Sequence, residues 1–107
     1  MGYMRHHAIV VTSWDEKLAN KAHKKAVKLF PIVSEITKTA INGYRSFLVP
    51  PDGSKEGWED SDRGDAARKK FNEYLESLRY EDGSTSIAWI EVQFADDNNE
   101  TLIVSHS

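Results

Sequence analysis

The sequence predicts an α+β fold: two helices packed on one face of a mainly antiparallel five-stranded sheet, in the order β-α-β-β-α-β-β, ferredoxin-like with an extra C-terminal strand. Three observations carry that expectation. The hydrophobic pattern switches repeatedly between a strand period and a helix period. Asn42-Gly43 and Glu81-Asp82-Gly83-Ser84 supply chain reversals. A length of 107 residues allows one modest core and is too short for two, so a single α+β domain over residues 1–107 is expected.

The first strand is expected over residues 6–12, where the unbroken apolar centre Ala8-Ile9-Val10-Val11 fits burial on both faces and therefore a central place in the sheet. Ser13 reads as the N-cap of the first helix, with Glu16 completing a capping box and Asp15 favoured by the helix dipole. Leu18, Ala22, Ala26 and Leu29 recur at helical spacing as the buried stripe. Pro31 marks the stop, because it cannot continue the hydrogen-bond ladder and disfavours helix at Phe30.

Residues 33–49 are rich in Ile, Thr, Val, Tyr and Phe and are split by Asn42-Gly43, a pair suited to the positive φ angles of a type I′ turn. A hairpin follows. Pro50-Pro51-Asp52-Gly53-Ser54 breaks its second strand, and the stretch to Asp60 is the longest expected loop, a place where function concentrates. The second helix is expected from near Ser61 or Asp62 to about Tyr80, with Ala67, Phe71, Tyr74, Leu75 and Leu78 inward and Gly64 tolerated in its first turn. Residues 86–94 then alternate strictly. Ala88, Ile90, Val92 and Phe94 are assigned to the helices, and Ile87, Trp89, Glu91 and Gln93 to the open face. Residues 96–99 turn the chain, residues 102–106 return as an edge strand, and residues 1–3 read as a frayed extension.

The absence of cysteine excludes disulfides, thiolate nucleophiles and cysteine-ligated metals. No apolar run approaches the roughly 20 residues needed to cross a bilayer, and the N-terminus lacks a signal-peptide core, so a cytoplasmic protein without membrane contact is expected. The formal charge of −3 hides an asymmetry: residues 1–49 carry net +5 and residues 50–107 net −8. Two readings stand side by side. The surface is bipolar and steers a charged partner or self-associates head to tail, or these are simply solvated faces of opposite sign.

The tandem His6-His7 draws attention because imidazole titrates near neutral pH and ligates metals. Adjacent strand residues point to opposite faces, however, so the two cannot readily hold one ion. His7 shares a face with Ile9 and Val11, His6 with Ala8 and Val10, and only one of them can belong to a site with Glu91 or His106. His23, among lysines, is expected to face solvent. No metal-ligand spacing, phosphate loop, Gly-x-Ser-x-Gly elbow or paired His-x-Thr/Ser tripeptide occurs, and no metal or cofactor is expected.

Gly43-Tyr44-Arg45-Ser46-Phe47-Leu48-Val49 resembles the third-strand motif of RNA-recognition domains with one residue too many. The first strand offers Ile9-Val10-Val11 where a stacking aromatic is needed. A pI near 5.8 also argues against a phosphate-tracking surface, although Lys17, Lys21, Lys24, Lys25 and Lys28 crowd the first helix. Nucleic acid is not an expected partner.

A tryptophan on an open sheet face needs a cover. Trp58, from the long loop, can close a minicore over Trp89; alternatively Trp89, Glu91, Tyr44 or Arg45 and one histidine form a binding surface. The segments His6-His7-Ala8-Ile9-Val10-Val11-Thr12-Ser13-Trp14-Asp15, Asn42-Gly43-Tyr44-Arg45-Ser46-Phe47 and Asp52-Gly53-Ser54-Lys55-Glu56-Gly57-Trp58 together resemble small uncharacterised proteins encoded by phages and prophages. That resemblance covers most of the chain and implies binding, either of a host factor or of a small ligand. The expected function is thus a small cytoplasmic binding protein that meets a protein partner, itself or a small ligand through the open sheet face. Its candidate residues are His6, His7, Tyr44, Arg45, Trp58, Trp89 and Glu91. The alternative is a compact hydrolase or nucleotide-binding protein using His7, Arg45 and Glu91, with Arg45 as the anion contact.

Overall fold

The computed structural model describes residues 4–95 and 100–107; the expected extension at 1–3 and turn at 96–99 lie outside the described residues. The elements are β1 (His6–Ser13), α1 (Glu16–Leu29), β2 (Thr37–Lys38), β3 (Arg45–Val49), α2 (Glu59–Ser77), β4 (Ala88–Phe94) and β5 (Leu102–His106). The strands form one sheet in the order β2-β3-β1-β4-β5 with every neighbouring pair antiparallel. This is the ferredoxin-like order with β5 added at an edge, and β1 is central as expected, but it is not buried on both faces throughout: Val10, on the face away from the helices, is 40% exposed.

Helix α1 begins later than the capping-box reading implies. Ser13 is still strand, paired with Arg45, and its hydroxyl is occupied by Ser86 and the Asp15 N–H. Asp15 is the cap instead, accepting from the Lys17 and Leu18 N–H groups. A hydrogen bond from the Tyr80 hydroxyl, together with those helix donors, holds the Asp15 carboxyl below the usual range. Asp15→Ala is expected to cost about 1 kcal/mol in urea denaturation; an unchanged midpoint would show that Tyr80 and the cap contribute nothing. The helix stops before Pro31 as expected.

The expected hairpin is present but irregular. Asn42 and Gly43 both have positive φ, and Thr39 N–H donates to the Tyr44 carbonyl across residues 40–43, a longer connection than a tight type I′ turn. β2 is short because Val33 and Ile36 turn inward to pack on the core, while the Ser34 hydroxyl accepts from Leu48 N–H beside β3.

Both helices cover one sheet face. Its core joins Ile9 and Val11 of β1, Phe47 and Val49 of β3, Leu18, Ala22 and Ala26 of α1, and Phe71 and Leu75 of α2. His23, expected at the surface, is half-buried: its Nε2 donates to the Ser34 carbonyl and its ring meets Phe47 edge-on at 5.1 Å. Helix α2 runs from Glu59, so Gly64 lies beyond its first turn.

The face assignment of β4 is the largest correction. Trp89, Glu91 and Gln93 are buried under the helices, and Ala88, Ile90, Val92 and Phe94 occupy the open face. The register dictates this: Val11 pairs with Trp89 and Ile9 with Glu91, and antiparallel partners share a face. Ile87, in phase with Trp89, is buried with it.

Candidate functional site

His7 and Glu91 meet because the sheet makes them diagonal neighbours on the helix-covered face. His7 pairs with Gln93 and Ile9 with Glu91, so the imidazole and the carboxylate reach across β1 and β4. Glu91 is only 5% exposed. Its Oε2 accepts from His7 Nδ1 at 3.1 Å and its Oε1 from Asn72 Nδ2 at 2.7 Å, while Arg68 Nε stands 3.6 Å from Oε2. Burial pushes the Glu91 carboxyl up, but the His7 and Asn72 hydrogen bonds and the Arg68 charge outweigh it, and the group ends below the ordinary glutamate range. An ionised carboxylate only accepts, so His7 carries its proton on Nδ1. That leaves Nε2 as the ring nitrogen not committed to Glu91, 3.8 Å from Glu56 Oε1.

Helix α2 supplies the other wall. Gly64, Arg68 and Asn72 recur every four residues and so form one stripe along it. Arg68 is also held by Asp65 one turn earlier. A Cβ on Gly64 would lie 2.9 Å from the Asp52 carboxylate and 3.1 Å from the Arg68 guanidinium, so glycine here lets the loop after β3 close against the helix. Burial opposes ionisation of Asp52, yet bonds from Ser54 and the Arg68 charge more than offset it. Nearby, Asn72 Oδ1 and Gln93 Nε2 are buried and meet no hydrogen-bond partner among the described residues.

Two clefts share His7 and Arg68 in their walls. The first, about 510 Å³, is mainly apolar, with Phe30, Ile32, Pro50 and Trp58 around Ile9. The second, about 670 Å³, lies between α2 and β5 and is bordered by the charged side chains Asp65, Lys69, Glu73 and Glu76.

No family model, curated protein or solved structure matches this chain. The site must therefore be read from its own chemistry.

Of the residues singled out in the sequence, His7 and Glu91 come together, and Trp58 stands at the first cleft. The others do not join them. His6 is on the opposite face, with its ring 5.7 Å from Phe94. Arg45 pairs with Ser13, at the far end of β1 about 20 Å from His7 at strand rise, and its guanidinium is held by Glu16 and the Gly43 carbonyl. Tyr44 precedes it at that same end. Trp89 is core, so it needs no cover from Trp58. Arg68, Asn72, Glu56, Asp52 and Gly64 were not singled out; the signal that could have found three of them is the four-residue spacing of glycine, arginine and asparagine beside an apolar helix stripe. Among the described residues, no three His, Asp or Glu side chains are disposed to hold a metal ion, and no helix is long and apolar enough to cross a membrane.

Proposed function

We propose that this is a small ligand-binding protein whose site is the first cleft, with His7 as its polar anchor. The observation that carries the reading is the imidazole oriented by buried Glu91 in the wall of a mainly apolar, ligand-sized cleft. A small ligand would thus bind on the helix side of the sheet and not on its open face. Arg63 is engaged by Glu59 and Asp60, and Arg68 by Asp65 and Glu91, so both guanidiniums are already neutralised and an anionic ligand gains little. With Nδ1 donating to Glu91, the polar groups left to a ligand are Nε2 and the Glu56 carboxylate 3.8 Å from it. The ligand class that fits is a neutral aromatic or alicyclic compound with one N–H or O–H donor. A cytoplasmic location and a phage or prophage setting belong to the same proposal, as does a role in sequestering such a compound.

Indole is a suitable probe. Titrated into the ¹⁵N-labelled protein, it is expected to give saturable amide shifts at the non-proline positions of residues 29–32, 52–58 and 64–68. Trp58→Ala, at a half-exposed position, should weaken binding about tenfold with an unchanged melting temperature, and His7→Ala by a similar factor. Shifts confined to other regions, or none up to solubility, would refute the reading. The 3.1 Å contact of His7 with Glu91 also favours a second reading, in which a carboxylate-oriented imidazole acts as a general base. Turnover of 4-nitrophenyl acetate that His7→Ala abolishes, while circular dichroism at the assay temperature shows the variant still folded, would select it.

A further inference from the structure

The sheet face away from the helices has not entered the site, and its chemistry is unusual for this chain. Pairing places Val10, Leu48, Ile90, Val92, Phe94 and Ile103 on it, spread over four neighbouring strands. Val10 is 40%, Leu48 37% and Ile103 63% exposed. Between them the register sets Thr12, Ser46, Thr37, Ala8, Ala88 and the two histidines His6 and His106. Among the described residues, no Asp, Glu, Lys or Arg occupies a paired strand position on this face, in a chain of which 29% is charged. Soluble monomers rarely leave so continuous an apolar surface in water.

We infer that this face is the interface of a homodimer, two copies packing sheet against sheet. The absence of charge selects the occupant. An isologous contact brings each patch against its own copy, so any cluster of one sign would repel itself, and the paired positions described on this face hold none. A charged partner, conversely, would find nothing to pair with here. Size limits the affinity. The four strands that carry the apolar residues, about 4.8 Å apart and some six residues long, span roughly 19 by 20 Å, on the order of 400 Å² per copy and 800 Å² in all, the size of a weak, transient contact. The dimer is accordingly expected to be modest in affinity and concentration-dependent. Val10 lies on β1, the middle strand, and so sits near the centre of the contact. The association is independent of the ligand cleft, which lies on the other side of the sheet.

Sedimentation equilibrium on the full chain tests this. Wild type is expected to dimerise, with a dissociation constant that changes less than about twofold between roughly 50 and 500 mM NaCl, because no charges cross the interface. Val10→Lys should weaken the dimer at least about tenfold while leaving circular dichroism and melting temperature unaltered. Ile103→Lys, at a more exposed position, serves the same purpose if Val10→Lys fails to fold. Ile41→Lys, in an exposed loop off the sheet, should change nothing. A chain that stays monomeric near ~1 mM overturns the inference, as does a dimer that salt dissolves, one that survives both face variants, or one that Ile41→Lys disrupts equally. Salt sensitivity would instead point to head-to-tail pairing of the oppositely charged halves.

Discussion

Replacing Glu91 by alanine is expected to destabilise the protein by about 3–5 kcal/mol, measured by urea denaturation. One buried carboxylate here receives His7 Nδ1 and Asn72 Nδ2 and faces Arg68 Nε, so its loss strands three donors in a place with little access to water. Arg68 keeps Asp65, which sets the lower end of the range. A loss under about 1 kcal/mol would mean that water solvates these donors and that the network is not a closed unit. The pH dependence follows in sign. The carboxyl titrates below its ordinary value in the folded chain, so its contribution is complete above the unfolded glutamate pKa, about 4.3, and disappears as pH falls through the lower folded value. Glu91→Gln should therefore lose less stability than wild type on acidification below about pH 5. Asp15, Asp52 and Asp82 are shifted in the same direction and add to the acid sensitivity of both proteins, so the difference between the two curves isolates Glu91.

Phe71→Ala is the second large effect, again about 3–5 kcal/mol. Phe71 is fully buried at the meeting point of both helices and the sheet. Its ring lies edge-on to Phe30 at 5.6 Å and tilted against Phe47 at 6.4 Å. Truncation opens a cavity that these rings cannot fill without leaving their own contacts with the core. Against a total stability on the order of 5–15 kcal/mol, that is enough to populate the unfolded state near physiological temperature. Phe71→Leu keeps most of the volume and should cost less than half as much. Equal losses for the two would show that ring geometry, not cavity volume, controls the site.

Much of this molecule was legible from local patterns. The helical stripe from Leu18 to Ala26, the stop before Pro31, the positive φ at Asn42 and Gly43, and the return of residues 102–106 each depend on side chains close in sequence. The candidate site was half legible. His7 and Glu91 were singled out as types that do chemistry, and the strand rule correctly said that only one of the two histidines could join Glu91. Arg68 and Asn72 were not seen, because a polar residue beside an apolar helix stripe reads as solvated until a partner element is known to lie over it. Charge alone makes Arg45 a candidate anion contact, but the length of β1 separates it from His7.

The fold class, the element order and the central place of β1 were determined by the sequence alone, because hydrophobic period and turn chemistry are short-range properties. Which face of β4 met the helices was decided only by the tertiary structure. A strand of period two always offers two faces, and the uninterrupted apolar one, Ala88 to Phe94, looked like the core side. Pairing with β1 settled the matter: Ile9 and Val11 must face the helices, and register carried Glu91 and Trp89 inward with them. The same step placed a buried carboxylate beneath α2, where it orients His7, and left an uncharged apolar sheet face outside.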